Sequence, residues 1–459
     1  MASLTFLSRR ITATARGVTG AALAAVLLLT ACESPTVQKG APGMQGAPGD
    51  TSIFPPGVLS SDGPWGPDFV GPLRPATPAT PYVGLLLPLS GPQAKVGQAM
   101  LNAAQLAIFE IAGDQFVLIV RDTTGTPDGA RRAARSALQA GASVILGPLF
   151  ATSVQAVAME ARPRGVNVLA FSNDASVAGN GVYVMGLSPR SQIQRVLDYA
   201  SLQGLRRYAV LAPESPYGWT VLSAMQAVID KNGDELTGIA IYDPLEDPSP
   251  QVRALGNYDE RHDDLLELKK TLERRNDEDA KRQLEDLENV DTVGSPDFDA
   301  VLVPVGGKNL MTLAPLLAYY DVDPDEVQFL GTAFWADSRL GSEVTLQGGW
   351  FAAPPPEMWQ GFKERYQATY RSEPIRIASL AYDATALAAV LTRNATETGR
   401  APDFSRAALT QASGFAGMDG IFRFLPNGEI QRGLAVLEMT KDGLVVLDPA
   451  PQSFEELIN

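Results

Sequence analysis

Tyr82-Val83-Gly84-Leu85-Leu86-Leu87 reads as a buried strand, and the chain on its C-terminal side repeats one alternation. Val96, Met100, Ala104, Ala107, Ile108 and Ile111 fall on one helical face. Phe116-Val117-Leu118-Ile119-Val120 is a second apolar run. Pro127 then opens a helix through Ala130, Ala133, Ala134, Ala137 and Leu138, where its missing N–H is harmless. Ser143-Val144-Ile145-Leu146-Gly147 is the next strand, followed by a helix from about Thr152 and a strand at Val166-Asn167-Val168-Leu169-Ala170-Phe171. Strand–helix alternation of this kind predicts a parallel sheet covered by helices on both faces. The pattern restarts after Gly186-Leu187-Ser188-Pro189, with runs at Tyr208–Ala212, Ile239–Tyr242, Ala300–Pro304 and Val327–Gly331. The expected fold is therefore α/β, with two doubly wound parallel-sheet lobes. A charged insertion, about residues 256–290, separates two of the later strands. Leu265, Leu268 and Leu272 share a helical face there, Asn276 is placed to cap a second helix, and Asp277–Lys281 and Glu278–Arg282 stand at i,i+4. A solvated helical hairpin is the plain expectation, and a partner-docking arm the sharper one.

Residues 1–31 read as an address rather than part of the fold. Arg9, Arg10 and Arg16 precede an apolar stretch at 21–29, too short to span a bilayer. It ends in Leu29-Thr30-Ala31-Cys32, which resembles the bacterial lipobox and implies cleavage before Cys32 and lipidation of its sulfur. In lipoproteins of that kind an Asp after the Cys favours the inner membrane. Glu33 stands here, so the expected location is the periplasmic face of the envelope, anchored in the outer membrane. Residues 33–80, rich in Pro, Gly, Ser and Thr, read as an extended tether behind the anchor.

Composition narrows the chemistry. A formal net charge of -15 repels phosphate backbones, so nucleic acid is not an expected partner. Cys32 and His262 are the chain's single Cys and single His, which leaves no Cys/His cluster for zinc and no disulfide within the chain. His262 sits in Glu260-Arg261-His262-Asp263-Asp264, a solvated helix face rather than a general base's pocket. No enzyme, metal or cofactor is expected.

Several segments together resemble the leucine-binding-protein-like (type I) periplasmic binding proteins. They are Gly84–Gly91, Asp122 followed by Pro127 and Ala130, Val144–Pro148, Ser215-Pro216-Tyr217-Gly218 and Ala378–Ala384. The resemblance covers 81 to about 448 and implies two lobes joined by crossovers, expected near 186–190, 349–356 and 414–420. The first lobe would then comprise about 81–187 and 356–415, the second about 190–350 and 418–448, with a tail at 449–459. Ligands of such a fold lie between the lobes, where loops leave the carboxyl ends of strands and helix N-termini attract anions. The residues so implied are Ser90, Phe150, Thr152, Ser153, Ser172, Asp174, Ser176, Tyr217 and Trp335, with Tyr217 closing from the second lobe and Trp335 either stacking on a flat ligand or serving as core.

Two departures argue against a leucine-type amino acid. The family's amino-acid binders keep a small residue where Asp174 stands, and an acidic residue in the loop holding Gly331-Thr332-Ala333-Phe334-Trp335. Lipoproteins described as penicillin-binding-protein activators use the same fold to touch a peptidoglycan synthase. The chain looks like them in its lipobox, tether, charged insertion and Gly417–Phe424 segment. The expectation leans to such an activator. The alternative is a substrate-binding lipoprotein delivering an amino acid or related solute to an ABC transporter permease.

Overall fold

The computed structural model describes residues 80–112, 116–398 and 400–454. The expected signal segment, Cys32 and the expected tether up to residue 79 lie outside them. Alternation begins as expected with β1 (Tyr82–Leu87), α1 (Ala94–Ala107), β2 (Val117–Asp122), α2 (Pro127–Gln139), β3 (Ala142–Leu146), α3 (Ala151–Ala161) and β4 (Asn167–Ala170), and a further strand the sequence reading did not mark follows, β5 (Val182–Val184). These five strands form one parallel sheet in the order β2-β1-β3-β4-β5. Strand side chains alternate between faces, so β1 feeds two cores at once. Val83, Leu85 and Leu87 pack under α1, while Leu86 packs against Ala130, Ala134 and Val154 on the opposite face. Each fully buried Leu is worth roughly 1.5–3 kcal/mol relative to exposure, which is why the run is uninterrupted.

The second lobe follows through α4 (Pro189–Leu202), β6 (Arg207–Pro213), α5 (Pro216–Asn232), β7 (Glu235–Tyr242), α6 (Ser249–Leu255), α7 (Tyr258–Arg275), α8 (Glu278–Asp286), β8 (Ala300–Leu302), α9 (Gly307–Tyr319), β9 (Gln328–Gly331) and β10 (Trp350–Ala353). The chain then returns to the first lobe as α10 (Pro356–Tyr370), α11 (Ala378–Glu397) and α12 (Arg406–Leu409). Phe362 and Tyr366 of α10 pack with Ala103 and Ala107 of α1 and Tyr382 of α11. Five short strands end the chain: β11 (Phe415–Gly417), β12 (Gly420–Phe424), β13 (Ile430–Arg432), β14 (Ala435–Thr440) and β15 (Gly443–Asp448). The second sheet has the order β15-β14-β10-β9-β8-β6-β7.

Five expectations are corrected. The second sheet is not wholly parallel: β14 runs antiparallel to β10, and β15 to β14. The two residues between β14 and β15 suffice for a hairpin, whereas a parallel return needs a crossover segment. The third passage between lobes lies at Arg432–Ala435, not at 414–420. Strands β11–β13 form their own antiparallel sheet, and Phe422, Phe424 and Ile430 enter the first lobe's core beside Leu85. The last residues are not a free tail as far as Phe454, which is buried and carries Arg423 over its ring at 4.4 Å. In the insertion, α7 and α8 form the expected hairpin, but Asn276 closes α7 in a left-handed conformation and Asp277 caps α8, accepting from the Ala280 N–H at 2.8 Å. Only the residue directly before the first turn can lay its side-chain oxygen over those donors. The expected i,i+4 pairs give way to Lys281–Glu278 at 2.9 Å and Arg275–Asp277 at 3.2 Å. Leu265 and Leu272 are buried; Leu268 is 39% exposed.

Candidate functional site

A recess of about 1340 Å³ lies between the two lobes. Loops leaving the carboxyl ends of strands build it, as the topology of open parallel sheets dictates. After β3 come Leu149 and Phe150, after β4 Ser172 and Asn173, and after β5 Gly186 and Leu187. The second lobe contributes Tyr217 at the start of α5 and Phe334 after β9. Their rings meet at 5.4 Å and 58°, so an aromatic wall faces Phe150 across the cleft. Burial pushes the Tyr217 hydroxyl pKa up, partly offset by its contact with Thr332 Oγ1 at 3.5 Å.

Of the residues expected at the site, Phe150, Ser172 and Tyr217 line this cleft together. Ser172 is buried and its Oγ accepts from the Asp174 N–H at 3.1 Å. Asp174 itself is exposed and off the lining; it accepts from the Ser176 N–H at 2.9 Å and caps the 3-10 turn Ala175–Val177. Its carboxylate therefore does not oppose an anion in the cleft. Ser176, Ser90 and Thr152 are also exposed and off the lining. Ser90 sits in a loop ordered by Asp122, whose Oδ1 accepts from the N–H groups of Leu89 at 2.9 Å and Thr124 at 2.7 Å. Ser153 is buried behind the loop, its Oγ without a protein partner among the described residues.

Trp335 does not face the cleft. It is fully buried, its Nε1 donates to the Val303 carbonyl at 3.1 Å, and it packs so closely under Gly331 that a Cβ there would lie 2.3 Å from the ring. In the 3-10 turn Ala333–Trp335 consecutive side chains point about 120° apart. Phe334, 54% exposed, takes the outward direction instead.

Sequence reading missed two features. Gln192 on α4 accepts from the Ala333 N–H at 2.8 Å and donates to the carbonyls of Leu187 and Ser188, tying the first passage to the β9 loop. A charged network lies at the floor and wall. Arg376 Nη1 reaches Asp419 Oδ1 at 2.6 Å and Ser379 Oγ at 3.0 Å, and its guanidinium stacks on Trp359 at 4.6 Å. Ser379 donates to Asp419 Oδ2 at 2.8 Å. Behind them Asp383 pairs with Arg432 at 3.4 Å, and Arg432 Nη2 donates to the Met185 carbonyl at 3.3 Å, on the first passage. Burial pushes the Asp383 carboxyl up to about 6 despite Arg432. Burial also opposes charge on Asp419, but Arg376 and Arg432 outweigh it and hold that carboxyl low. Ser379 and Asp383 lie in the Ala378–Ala384 segment and Asp419 in Gly417–Phe424, but neither segment shows by itself that these residues meet Arg376 and Arg432.

Comparison with known proteins gives the following likenesses. A family model described as periplasmic binding protein matches residues 80–443. Penicillin-binding protein activator LpoA of Haemophilus ducreyi is 28% identical over 204 residues, 42% of this chain and 33% of that protein. The chain spans half the length or less of the curated relatives it matches. An ABC transporter substrate-binding protein from Sphaerobacter thermophilus superposes with TM-score 0.59 at 18% identity, covering 81% of this chain and 98% of that one. A solute binding protein of an ABC transporter from Rhodopseudomonas palustris, in complex with 3,4-dihydroxy benzoic acid, superposes with TM-score 0.54 at 18% identity, covering 82% and 99%. At such identities the structural likeness is one of fold.

Proposed function

The chain belongs to the periplasmic binding proteins of the leucine-binding, type I kind, and from that premise we propose that it is a non-catalytic envelope lipoprotein whose inter-lobe cleft binds a small solute. One observation carries the reading: Phe150 and Ser172 of the first lobe and Tyr217 and Phe334 of the second converge on one cleft of about 1340 Å³. Aromatic walls on both lobes suit a ligand with an apolar or flat body, whose burial favours the closed arrangement of the lobes. The β9 loop offers no free carboxylate for a ligand ammonium, since Asp337 is held by Arg339 at 2.6 Å. A leucine-type amino acid is therefore a poorer fit than an aromatic or peptide-like solute. The Rhodopseudomonas palustris protein, with its dihydroxybenzoate, is a relative in fold that holds a flat ligand. Cys32 carries the lipid in this reading, and residues 33–80 tether the lobes to the outer membrane.

The test is scanning fluorimetry of the full chain in detergent against amino acids, short peptides, aromatic carboxylates and muropeptides. A ligand present at a hundred times its Kd stabilises the folded state by about 2.7 kcal/mol, a shift of several degrees. A flat response to the whole panel would sink the reading.

A second reading, activation of a peptidoglycan synthase, is supported by the match to LpoA and by the α7–α8 hairpin, whose charged residues stand on the second lobe. Capture of a synthase by the lipidated protein, lost on replacing residues 256–290 with a short loop, is the expected result. Equal capture without the hairpin would assign docking elsewhere.

A further inference from the structure

The first-lobe wall of the cleft holds a guanidinium that is anchored but not used up. Arg376 Nη1 is committed to Asp419 and Ser379, and Trp359 fixes the plane from one side. Its Nε and Nη2 have no protein partner among the described residues, and Arg376 lines the cleft with its side chain 37% exposed. Those two donors form the parallel edge that meets a carboxylate bidentately. Lys363 of α10 lines the same wall, also without a protein partner among the described residues. Four carboxylates also line the recess, and of these Asp337 is held by Arg339 at 2.6 Å. Asp419 is 1% exposed and lies between Arg376 and the buried Arg432. Glu373 is exposed and takes Gln367 Nε2 at 3.1 Å, and Glu357 is exposed at the start of α10. The cleft is also larger than the roughly 300–1,000 Å³ usual for small-ligand pockets, leaving room beyond the Phe150–Tyr217–Phe334 walls.

We propose that Arg376, stacked on Trp359 and assisted by Lys363, is a carboxylate subsite, so that the solute is an acid with its carboxylate set apart from its apolar body, of dipeptide size or larger. The inference rests on the cleft being a solute site. An arginine prepositioned by an aromatic ring and a buried carboxylate loses little freedom when a ligand arrives, which suits it to fix one end of an elongated molecule.

The experiment is isothermal titration calorimetry on the full chain in detergent. Its probes are peptides of two and three residues with aromatic or aliphatic side chains, each as free acid and as C-terminal amide, with phenylpropanoate and its amide. Wild-type protein is expected to bind at least one acid about tenfold more tightly than its amide. R376Q should remove that preference by weakening the acid far more than the amide, and R376K should restore part of it. K363Q, at a residue whose side chain holds no other group, should reduce the preference several-fold without touching the fold. An unchanged circular dichroism spectrum and a retained cooperative unfolding transition show that each variant is folded. Acids and amides that bind equally, or variants that weaken both forms alike, overturn the carboxylate subsite while the cleft stands. Wild-type protein that binds no probe overturns the subsite and the solute-binding reading together.

Discussion

Asp383 and Arg432 are almost completely buried, and each depends on the other for its charge. Asp383 also accepts from the Met418 N–H at 2.6 Å, and Gly417 is required beside it because a Cβ would lie 2.6 Å from the carboxylate. Removing one partner of a buried pair leaves the other charge without compensation, a loss of about 3–5 kcal/mol. Asp383→Ala should therefore destabilise the protein by that amount in urea unfolding. Asp383→Asn, which still accepts from Met418, should lose visibly less. Equal losses in both variants would show that loss of the charge pair with Arg432 accounts for the whole effect and that the Met418 contact adds nothing. At the same scale, adjacent Phe334 and Trp335 part company: one enters the cleft, the other the core. Both are aromatic, so composition alone does not separate them; the turn does.

At the scale of elements, the hairpin α7–α8 shows how locally its stability is set. Its buried contacts are few, with Leu265, Leu272 and Ala280 turned inward. Asp277 supplies the cap for α8, a helix of nine residues too short to persist on propensity alone. Asp277→Ala should cost about 1 kcal/mol and appear as faster amide exchange across 278–281. The main unfolding transition should hardly move. A drop in global stability would mean that the hairpin folds as one unit with the second lobe. His262, on the same hairpin, stacks on Tyr258 at 5.9 Å and 9° and meets the Asp291 carbonyl at 2.6 Å through Nδ1, which makes it a structural surface residue.

At the scale of the molecule, stability against acid depends on carboxylates that bridge distant segments. Asp299, just before β8, accepts from the N–H groups of Arg206 and Arg207 at 2.9 Å each and from the Arg207 guanidinium at 2.7 Å, joining it to the start of β6. Burial opposes its charge, but those donors prevail and hold its pKa below the ordinary value. A carboxyl with a depressed native pKa contributes stability above about pH 4, the unfolded value, and loses it as pH falls through the native one. The Tm of the wild type should therefore fall on acidification. Asp299→Asn should begin lower and show a shallower decline. Parallel curves would exclude this carboxylate as a contributor.

What was legible in the sequence follows from periods that chemistry imposes locally. Runs such as Tyr82–Leu87 alternating with helical stripes determine the parallel strands of two lobes, though not the antiparallel β14 and β15, because a strand buried on both faces must be continuously apolar. The break in that order fell at Gly186–Pro189, whereas the second passage and the loops ending in Phe150, Ser172 and Tyr217 were implied by the family resemblance rather than by any period. Only the tertiary structure decided the rest. Residues 415–432 join the first lobe because Phe422, Phe424 and Ile430 find its core, a choice that alternating apolar residues leave open between two cores. Asp174 spends its carboxylate on its own turn, and Arg376, Asp419, Asp383 and Arg432 meet across four elements. Such pairings depend on distance in space, which spacing along the chain does not carry.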